Sequence, residues 1–391
     1  MFEELDYKAL ISRTFTELYG SSPAILVRAP GRINLIGEHT DYNNGFVFPA
    51  AINREIIFAM SPSTRPETSL FALNINKGAL VNHKKLVPKS NPAWTNFFSG
   101  VVAGLQQRGF DVPAVNCVFG GDIPNGAGLS SSAALEVGFG TALTQLFGLS
   151  VEPWDIINIA QKAEHEYVGV KCGIMDMFAS KMGKKDHAML LDCRDLTFDY
   201  YPLQLEEHSL LLIDTRVKHS LASSEYNTRR LECELGVTVL KKHKPEANSL
   251  RDFNSFEVEE LADELPENVF RRCRFVTGEI QRTQAAALDL KKGDLRAFGK
   301  KMNDTHHGLS SDYEVSCREL DFLAAEAARF PEEILGARMM GGGFGGCTIN
   351  IVKKEFEEEF KRHVDLSFTK QFHTAPSFYD ISIQAGASVI S

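Results

Sequence analysis

The chain has 391 residues and a net charge of −9, with 43% hydrophobic and 24% charged residues. This length predicts two domains or one large two-lobed fold. The acidic balance argues against a nucleic-acid-binding or membrane-surface protein, because both need basic faces. We therefore expect small-molecule partners, and neither nucleic acid nor membrane.

The seven cysteines are odd in number and include no C-x-x-C pair. A disulfide framework or a zinc site is therefore not expected, and the reducing cytoplasm is the expected location. The acidic first residues lack the basic start and apolar run of a signal peptide. No stretch of the sequence approaches the apolar length of a membrane span.

The hydrophobic pattern predicts strands in the first fifth of the chain, helices in the middle and strands again near the end. An opening helix is predicted over residues 5–19, and a first strand over 24–29 that ends at Pro30 and Gly31. Further strands are predicted at 46–51, 56–60, 69–73, 115–119, 188–192, 210–214, 337–340, 348–352 and 379–383. Helices are predicted at 94–107, 130–149, 151–167 and 174–182, and through most of 223–306.

This order of elements is typical of an α+β fold and differs from strict βαβ alternation. We expect an N-terminal mixed-sheet lobe with helices over residues 1–200 and a C-terminal α/β lobe over residues 201–391. The boundary is expected near residues 194–208, and the final strands are free to cross back to the first lobe.

A loop rich in glycine and serine, PNGAGLSSSA at residues 124–133, lies between a predicted strand and a predicted helix. Glycines let the backbone approach an anion closely and adopt positive φ. The free N–H groups of the following helix, together with its dipole, form a phosphate site. The alternative is an ordinary loop with a serine helix cap. No Gly-Lys-Ser/Thr follows, so the loop is not a Walker A motif.

Polar residues are concentrated in the segment RAPGRINLIGEHTDYN at residues 28–43. Its carboxylates and imidazole can accept sugar hydroxyl groups, and its arginine can stabilise anionic oxygens. The segment thus suits a polyhydroxyl ligand, and the alternative is a solvated loop with ordinary ion pairs. The candidate ligand-binding residues are Arg32, Asn34, Glu38, His39 and Asp41.

Two acids form a further candidate pair. Asp176 is surrounded in sequence by Ile174, Met175 and Met177, so a buried carboxylate here must be paired or functional. The alternative is an exposed acid in the first turn of a helix, where the dipole favours it. Glu164, on a predicted helix, is either a metal ligand or a surface residue.

A second glycine loop, MMGGGFGGC at residues 339–347, satisfies G-x-G-x-x-G through Gly341, Gly343 and Gly346. A predicted strand follows it, whereas a dinucleotide-binding motif requires a helix. The pattern therefore predicts a strand–loop–strand hairpin that packs against a ligand or another loop.

Taken together, these segments resemble the GHMP small-molecule kinases, and among them the galactokinases. Three motifs occur in the family's order: GRINLIGEHTDY at 31–42, GAGLSSSA at 126–133 and GGGFGGC at 341–347. Two shorter matches are CGIMD at 172–176 and ASSEY at 222–226. The resemblance extends from about residue 20 to residue 385, and it implies an active site in the cleft between two lobes.

The resemblance also implies a reaction: transfer of the γ-phosphoryl group of ATP, with Mg²⁺, to the anomeric hydroxyl of galactose, the first committed step of the Leloir pathway. Asp176 would be the general base, and Arg32 would stabilise charge near the reacting hydroxyl and the transferring phosphoryl group. The implied sugar-binding residues are Glu38, His39, Thr40, Asp41, Gly173 and Tyr226. The implied ATP-binding residues are Gly126, Ala127, Gly128, Leu129, Ser130, Ser131, Ser132 and Trp94, with Ser132 and Glu164 on Mg²⁺. For Trp94 the alternative is a core aromatic.

The sequence departs from the family pattern at Met177, where a polar residue is common, and at Met340, where threonine is usual. Both changes bear on sugar selectivity. The rival substrates are N-acetylgalactosamine, another sugar, homoserine and mevalonate. A non-catalytic galactose sensor is a further alternative, disfavoured by the intact phosphate loop and Asp176. A monomer is expected, with oligomers left open.

Overall fold

The computed structural model describes residues 6–89, 91–124, 126–217 and 222–390, without the side chains of residues 222 and 223. Leu5 and Asn125, predicted in a helix and a loop, lie outside the described residues. All seven cysteines are free. Among the described residues, no helix is both long enough and apolar enough to cross a membrane.

The described segments contain helices and strands in the predicted broad order. The strands are β1 (Ile25–Asn34), β2 (Phe46–Val47), β3 (Pro49–Pro62), β4 (Glu67–Ala72), β5 (Lys77–Asn82), β6 (Val115–Gly121), β7 (His187–Asp192), β8 (Phe198–Pro202), β9 (His208–Asp214), β10 (Ile334–Met339), β11 (Cys347–Lys353), β12 (Ser377–Ile381) and β13 (Ser388–Val389). The α-helices are α1 (Tyr7–Tyr19), α2 (Thr95–Gln107), α3 (Ser131–Phe147), α4 (Pro153–Ala163), α5 (Met175–Met182), α6 (Ala222–Leu240), α7 (Ser255–Glu260), α8 (Glu267–Lys291), α9 (Leu295–Ser311), α10 (Arg318–Ala327) and α11 (Glu357–Phe372).

The first lobe is built on a six-stranded mixed sheet in the order β13-β1-β3-β6-β4-β5. Strands β4 and β6 are parallel, whereas the other neighbours in this sheet are antiparallel. Helix α3 packs closely on β1 and β3, because Gly138 places bare backbone where a Cβ atom would collide with Phe58 and Ala29. The packing fixes the start of α3, and so the phosphate loop, against the sheet.

The second lobe is built on a four-stranded antiparallel sheet in the order β10-β11-β9-β12. A small sheet, β2-β7-β8, belongs with the first half of the chain. The chain passes from the sheets of the first lobe to that of the second between β8 and β9, at residues 203–207. Strand β13 then returns to the first lobe, where Val389 pairs with Val27 of β1.

One apolar core extends across both lobes. Phe48 of the first lobe contacts Phe298 of α9, with ring centroids 6.4 Å apart. The same cluster includes Ile349 of β11 and Ala134 of α3. Because packed cores resist deformation, the cleft between the lobes is bounded by rigid elements.

Several predicted boundaries were wrong for identifiable reasons. Strand β1 does not end at Pro30; the ladder shifts register between Pro30 and Arg32 and continues to Asn34. Such an irregularity accommodates the missing proline N–H. The predicted helix over 151–167 ends at Ala163 and is followed by a π-helical turn, Glu164–Val168. Strands β5 and β8 were not predicted, because most of their residues are exposed or half-buried and carry no clear alternation.

Candidate active site

Three connected depressions lie in the cleft, and Ser132 lines all of them. The first is a cavity of about 340 Å³ and the second a cavity of about 270 Å³. The third is a shallow surface over the phosphate loop between them. The first is lined by all the predicted sugar-site residues except Thr40, and by Arg32, Asp176 and Glu164; the second is lined by Trp94, Phe97, Phe119 and Asn74, among others.

Asp176 is held by two donors. It is the second residue of α5, and its Oδ1 accepts a hydrogen bond from Arg32 Nε at 2.7 Å. Its Oδ2 accepts one from Ser130 Oγ at 2.5 Å. Arg32 also donates from Nη1 to the carbonyl oxygen of Gly128, at 2.5 Å. Arg32 therefore links the candidate base directly to the phosphate loop.

The phosphate loop has the backbone conformation that its glycines allow. Gly126 and Gly128 have φ values of 82° and 75°. Ser130 has a φ of 59°, which is uncommon for a residue with a Cβ atom. Its side chain does not cap α3, so the alternative of a simple serine helix cap is wrong at this position. The hydroxyl instead contacts Asp176, and α3 begins at Ser131 with its first N–H groups available.

The second glycine loop packs against the first. It joins β10 to β11 in an antiparallel hairpin, so the predicted strand–loop–strand arrangement is confirmed. A Cβ atom at Gly346 would lie 3.1 Å from the backbone of Ala127, and one at Gly341 would lie 3.1 Å from the carbonyl oxygen of Gly128. Glycine is therefore required for the two loops to approach so closely.

Glu38 is buried, with 2% of its surface exposed. Its Oε1 accepts hydrogen bonds from the backbone N–H of Gly341 at 2.9 Å and from Arg338 Nη2 at 3.0 Å. Oε1 thus has two protein donors. The residue lines the first cavity, which leaves Oε2 as the atom suited to accept a ligand hydroxyl.

The loop that follows Glu38 is strained and tightly held. His39 has a φ of 62°, and its carbonyl oxygen accepts a hydrogen bond from Asn43 Nδ2. The Thr40 hydroxyl donates to the carbonyl oxygens of Gly37, at 2.9 Å, and Phe46, at 2.6 Å. Thr40 is fully buried and does not line the cavity. Its contacts stabilise a backbone conformation that would otherwise be unfavourable.

Asp41 and Gly173 fit together closely. A Cβ atom at Gly173 would lie 1.9 Å from Asp41 Oδ2, so a side chain there would displace the carboxylate. The carboxylate accepts hydrogen bonds from the backbone N–H groups of Tyr42, at 3.0 Å, and Met175, at 3.4 Å. Burial, together with the negative charge of Asp176, raises the pKa of Asp41 to about 6.

The second lobe closes the first cavity with Tyr226 of α6. Its ring centroid lies 5.3 Å from that of His39. Burial lowers the pKa of His39 to about 4, so the imidazole is neutral near pH 7. The cavity therefore combines carboxylates, a neutral imidazole and a phenol, which is the set expected for hydroxyl groups.

Glu164 and Ser132 are neighbours at the junction of the two cavities. Burial raises the pKa of Glu164 to about 7, a hydrogen bond with Ser132 lowers it, and the charge of Asp176 raises it. A bound cation would offset the burial cost of an ionised Glu164. Across the described ranges, no group of three histidine, cysteine or acidic side chains forms a complete metal site. The donor set still fits Mg²⁺, which takes few protein oxygens and completes its shell with phosphates and water.

Trp94 packs as a core aromatic residue and also forms part of a cavity wall. It packs edge-on against Phe98, with centroids 5.9 Å apart, and against Phe119, at 5.8 Å. It also lines the second cavity. Its Nε1 is buried and has no hydrogen-bond partner in the described part of the chain. An apolar wall with one spare donor suits a flat heteroaromatic ligand.

Sequence reasoning missed four residues that support the site. Arg338 was assigned only to a strand, although an arginine among apolar residues was a signal of a buried ion pair. Glu136 was a single acid on an alanine-rich helix, and both its carboxylate oxygens are buried without a partner among the described residues. Tyr42 and Tyr313 gave no signal, because their contact joins residues 271 positions apart.

Comparisons with known proteins agree with this geometry. Residues 13–62 match the sequence model for the galactokinase galactose-binding signature, and residues 96–184 and 286–365 match the GHMP kinase N-terminal and C-terminal domains. A galactokinase of Thermotoga maritima is 42% identical over 364 residues, covering 93% of this chain and 99% of the relative. A galactokinase of Clostridium acetobutylicum is 38% identical, covering 99% of this chain and 100% of the relative.

Solved structures show the same fold. The crystal structure of Lactococcus lactis galactokinase complexed with galactose superimposes with a TM-score of 0.93 at 32% identity, covering 97% of this chain and 99% of that one. A mevalonate kinase gives a TM-score of 0.63 at 18% identity, covering 93% of this chain and 100% of that one, which shows a shared fold. The fold and the site define a GHMP small-molecule kinase, as predicted. Within that class, the chain belongs to the galactokinase family, whose members are ATP-dependent sugar kinases.

Proposed function

We propose that this protein transfers the γ-phosphoryl group of ATP to the anomeric C1 hydroxyl of α-D-galactose, giving galactose 1-phosphate and ADP. Its membership of the galactokinase family supports the reaction. The structural observation that carries it is the position of Arg32, which donates to Asp176 and to the phosphate-loop carbonyl of Gly128. A base and a phosphate site joined in this way suit phosphoryl transfer to a hydroxyl group.

In this proposal galactose occupies the cavity of about 340 Å³. Glu38 and Asp41 accept hydrogen bonds from sugar hydroxyl groups. His39 and Tyr226 contact the sugar ring. Gly173 leaves room for the Asp41 carboxylate, and the hydrogen bonds of Thr40 stabilise the conformation of the loop. These assignments are supported by the burial and the contacts of each side chain.

The chemical step needs a proton acceptor and charge stabilisation. Asp176 accepts the proton of the C1 hydroxyl as the sugar oxygen bonds to the γ-phosphorus, and the bond to the β-phosphate oxygen breaks to release ADP. Arg32 and Ser130 orient the carboxylate by donating to both its oxygens. Arg32 also carries positive charge close to the transferring group.

The phosphates bind along Gly126–Ser132, where the first N–H groups of α3 provide donors. Ala127, Gly128, Leu129 and Ser131 contribute backbone, and Trp94 lines the adenine pocket. Ser132 and Glu164 would hold Mg²⁺, which neutralises phosphate charge when bound. We place the reaction in the reducing cytoplasm, in keeping with seven free cysteines, and expect a monomer.

The decisive experiment measures ADP release from ATP and Mg²⁺ with galactose, N-acetylgalactosamine, glucose, homoserine or mevalonate. We expect turnover with galactose, and a loss of roughly 10²- to 10⁴-fold in Asp176→Ala and Asp176→Asn. Glu55→Gln is the matched control, since Glu55 pairs with Arg28 at 2.9 Å and has similar exposure, 24% against 26% for Asp176. Calorimetric ATP binding should persist in all three variants.

Three outcomes would change the proposal. Full activity in Asp176→Ala would remove its role as the base. Galactose and ATP binding without turnover by the unmodified protein would favour a sugar sensor, and turnover with another acceptor would reassign the substrate.

A further inference from the structure

A chain of hydrogen-bonding side chains runs from the sugar cavity into the second lobe. His39 Nδ1 lies 2.8 Å from Tyr42 Oη, which lies 2.7 Å from Tyr313 Oη. Tyr313 Oη lies 3.3 Å from Cys233 Sγ. Tyr313 and Cys233 are 0% and 1% exposed, so no solvent competes at that end of the chain.

The chain determines what His39 offers to a ligand. Burial is the main cause of its low pKa; Glu38 opposes this effect and Arg229 adds to it, so the ring is neutral near pH 7. A neutral imidazole carries one N–H donor and one lone pair. Nδ1 is engaged by Tyr42. Nε2 is buried and has no partner at full hydrogen-bond geometry among the described residues, although the Gly342 backbone interacts with the ring and raises its pKa. Which nitrogen carries the proton therefore decides whether Nε2 donates or accepts.

If each group in the chain donates its one proton along the chain, two arrangements result; the Asn43 side chain also interacts with Cys233. In the first, Cys233 donates to Tyr313, Tyr313 to Tyr42, and Tyr42 to His39 Nδ1, which leaves the proton on Nε2. In the second every bond is reversed, and Nε2 has a lone pair. The first gives the phenol proton to the imidazole nitrogen, the best acceptor in the chain, whereas the second ends on a thiol sulfur, a weak acceptor.

The charges around His39 are mixed. Glu38 favours a proton on the ring, whereas Arg229 and Arg338 oppose it. The hydrogen-bond chain is therefore what distinguishes the two arrangements.

We propose that Tyr42 is a positioning residue that holds His39 as the tautomer protonated on Nε2. The cavity then offers one N–H donor among carboxylate acceptors. A sugar hydroxyl can accept from His39 while it donates to a carboxylate, and a position lacking a hydroxyl leaves both groups unpaired. The kinetic consequence rests on the proposed function, whereas the tautomer itself does not.

The first test measures the ¹⁵N chemical shifts of the His39 ring in the ligand-free protein, with His39→Gln used to assign the signals. We expect a protonated Nε2 and an unprotonated Nδ1 in the unmodified protein. Tyr42→Phe should yield a mixture of tautomers. Tyr313→Phe should preserve the tautomer, because Tyr42 keeps its own proton for His39. Protonated Nδ1 in the unmodified protein would overturn the proposal, as would a switch of tautomer in Tyr313→Phe.

The second test is kinetic. We expect Tyr42→Phe to raise the KM for galactose about 3- to 10-fold, the range of one net hydrogen bond, while the KM for ATP is unchanged. Tyr19→Phe is the control, because its hydroxyl bonds to Ser69 outside the cavity. An unchanged galactose KM together with an unchanged tautomer in Tyr42→Phe would refute the role of Tyr42. If the protein does not phosphorylate galactose, the ¹⁵N measurement still decides the tautomer.

Discussion

Arg338 and Glu38 form a buried ion pair beside the first cavity of the cleft, with Nη2 and Oε1 separated by 3.0 Å and side chains 0% and 2% exposed. Arg338 also donates to the carbonyl oxygens of Leu35 and Met339. Arg338 belongs to β10 in the second lobe, whereas Glu38 follows β1 in the first. The pair therefore fixes the loop that carries Glu38 to the opposite side of the cleft.

We predict that Glu38→Gln lowers the free energy of unfolding by about 3 kcal/mol, because it leaves the buried Arg338 charge uncompensated. Urea denaturation measures this change. Glu332→Gln is the control, since Glu332 also lies 3.0 Å from an arginine, Arg296, but with side chains 71% and 62% exposed. The control should cost less than about 1 kcal/mol. Equal costs in the two variants would show that burial does not govern the Glu38 pair.

Gly173→Ala should reduce galactose affinity by at least about 10-fold, since the new methyl group would displace the Asp41 carboxylate and cost one charged hydrogen bond. ATP binding should be unchanged, because the phosphate loop is not contacted. Gly278→Ala is a suitable control, as its Cβ atom would meet nothing closer than 3.7 Å. Calorimetric titration with galactose provides the measurement. An affinity within about two-fold of the unmodified protein would show that Asp41 is not needed.

The sequence was sufficient to predict the broad order of strands and helices, and motifs such as PNGAGLSSSA indicated the cleft loops because they carry local requirements for glycine and for a helix start. Strands β5, β8 and β13 and helices α10 and α11 were not predicted. The family and the two-lobed fold class were also predicted correctly. The continuation of β1 past Pro30 was not predicted, because the strand register depends on pairing with β3, which no local pattern specifies.

The supporting contacts of the site could not be predicted in the same way. The Arg338–Glu38 pair joins residues 300 positions apart, and the Tyr42–Tyr313 contact joins residues 271 apart. Such pairs follow from how the lobes pack, and a single sequence contains no record of that packing. The Thr40 hydroxyl likewise takes a backbone partner in preference to a ligand only because the loop folds over it.

The pKa of Asp41 predicts a pH dependence of stability in the ligand-free protein. Its folded pKa of about 6 exceeds the ordinary value of 3.8, so the folded state binds more protons than the unfolded state between these values. Asp41 therefore makes the folded protein less stable as the pH rises from about 4 through about 6, and it has no such effect below about pH 4. We expect Asp41→Asn to become more stable, relative to the unmodified protein, on going from about pH 4 to about pH 8.

Asp321→Asn is the control and should show little trend between these pH values. Burial tends to raise the pKa of Asp321, but hydrogen bonds with His306, Ser316 and Ser310 hold it below its ordinary value of 3.8. Its stabilising contribution is therefore nearly complete above about pH 4 and is lost only in stronger acid. Urea unfolding of both variants at the two pH values provides the comparison. Parallel trends would show that the Asp41 carboxyl is not destabilised by burial.

Glu136 provides a prediction about stability in the phosphate-loop helix. It is 1% exposed, and burial raises its pKa well above the ordinary range, with the Glu164 charge raising it further. A carboxyl group whose pKa is raised in the folded state makes the protein less stable as the pH rises, because the group ionises more easily in the unfolded chain. Glu136→Gln cannot ionise, so we expect it to be more stable than the unmodified protein at about pH 8, by about 1 kcal/mol.

Glu17→Gln is the control for this measurement, since Glu17 lies on a helix, is 67% exposed and should change stability by less than about 0.5 kcal/mol. Denaturation with and without Mg²⁺ and ADP separates two causes. If Glu136→Gln is more stable than the unmodified protein only without the ligands, the ionised Glu136 stabilises the site when Mg²⁺ and ADP are bound. A loss of stability in Glu136→Gln under all conditions would contradict the prediction, because the carboxyl group would then have a stabilising partner in the folded protein.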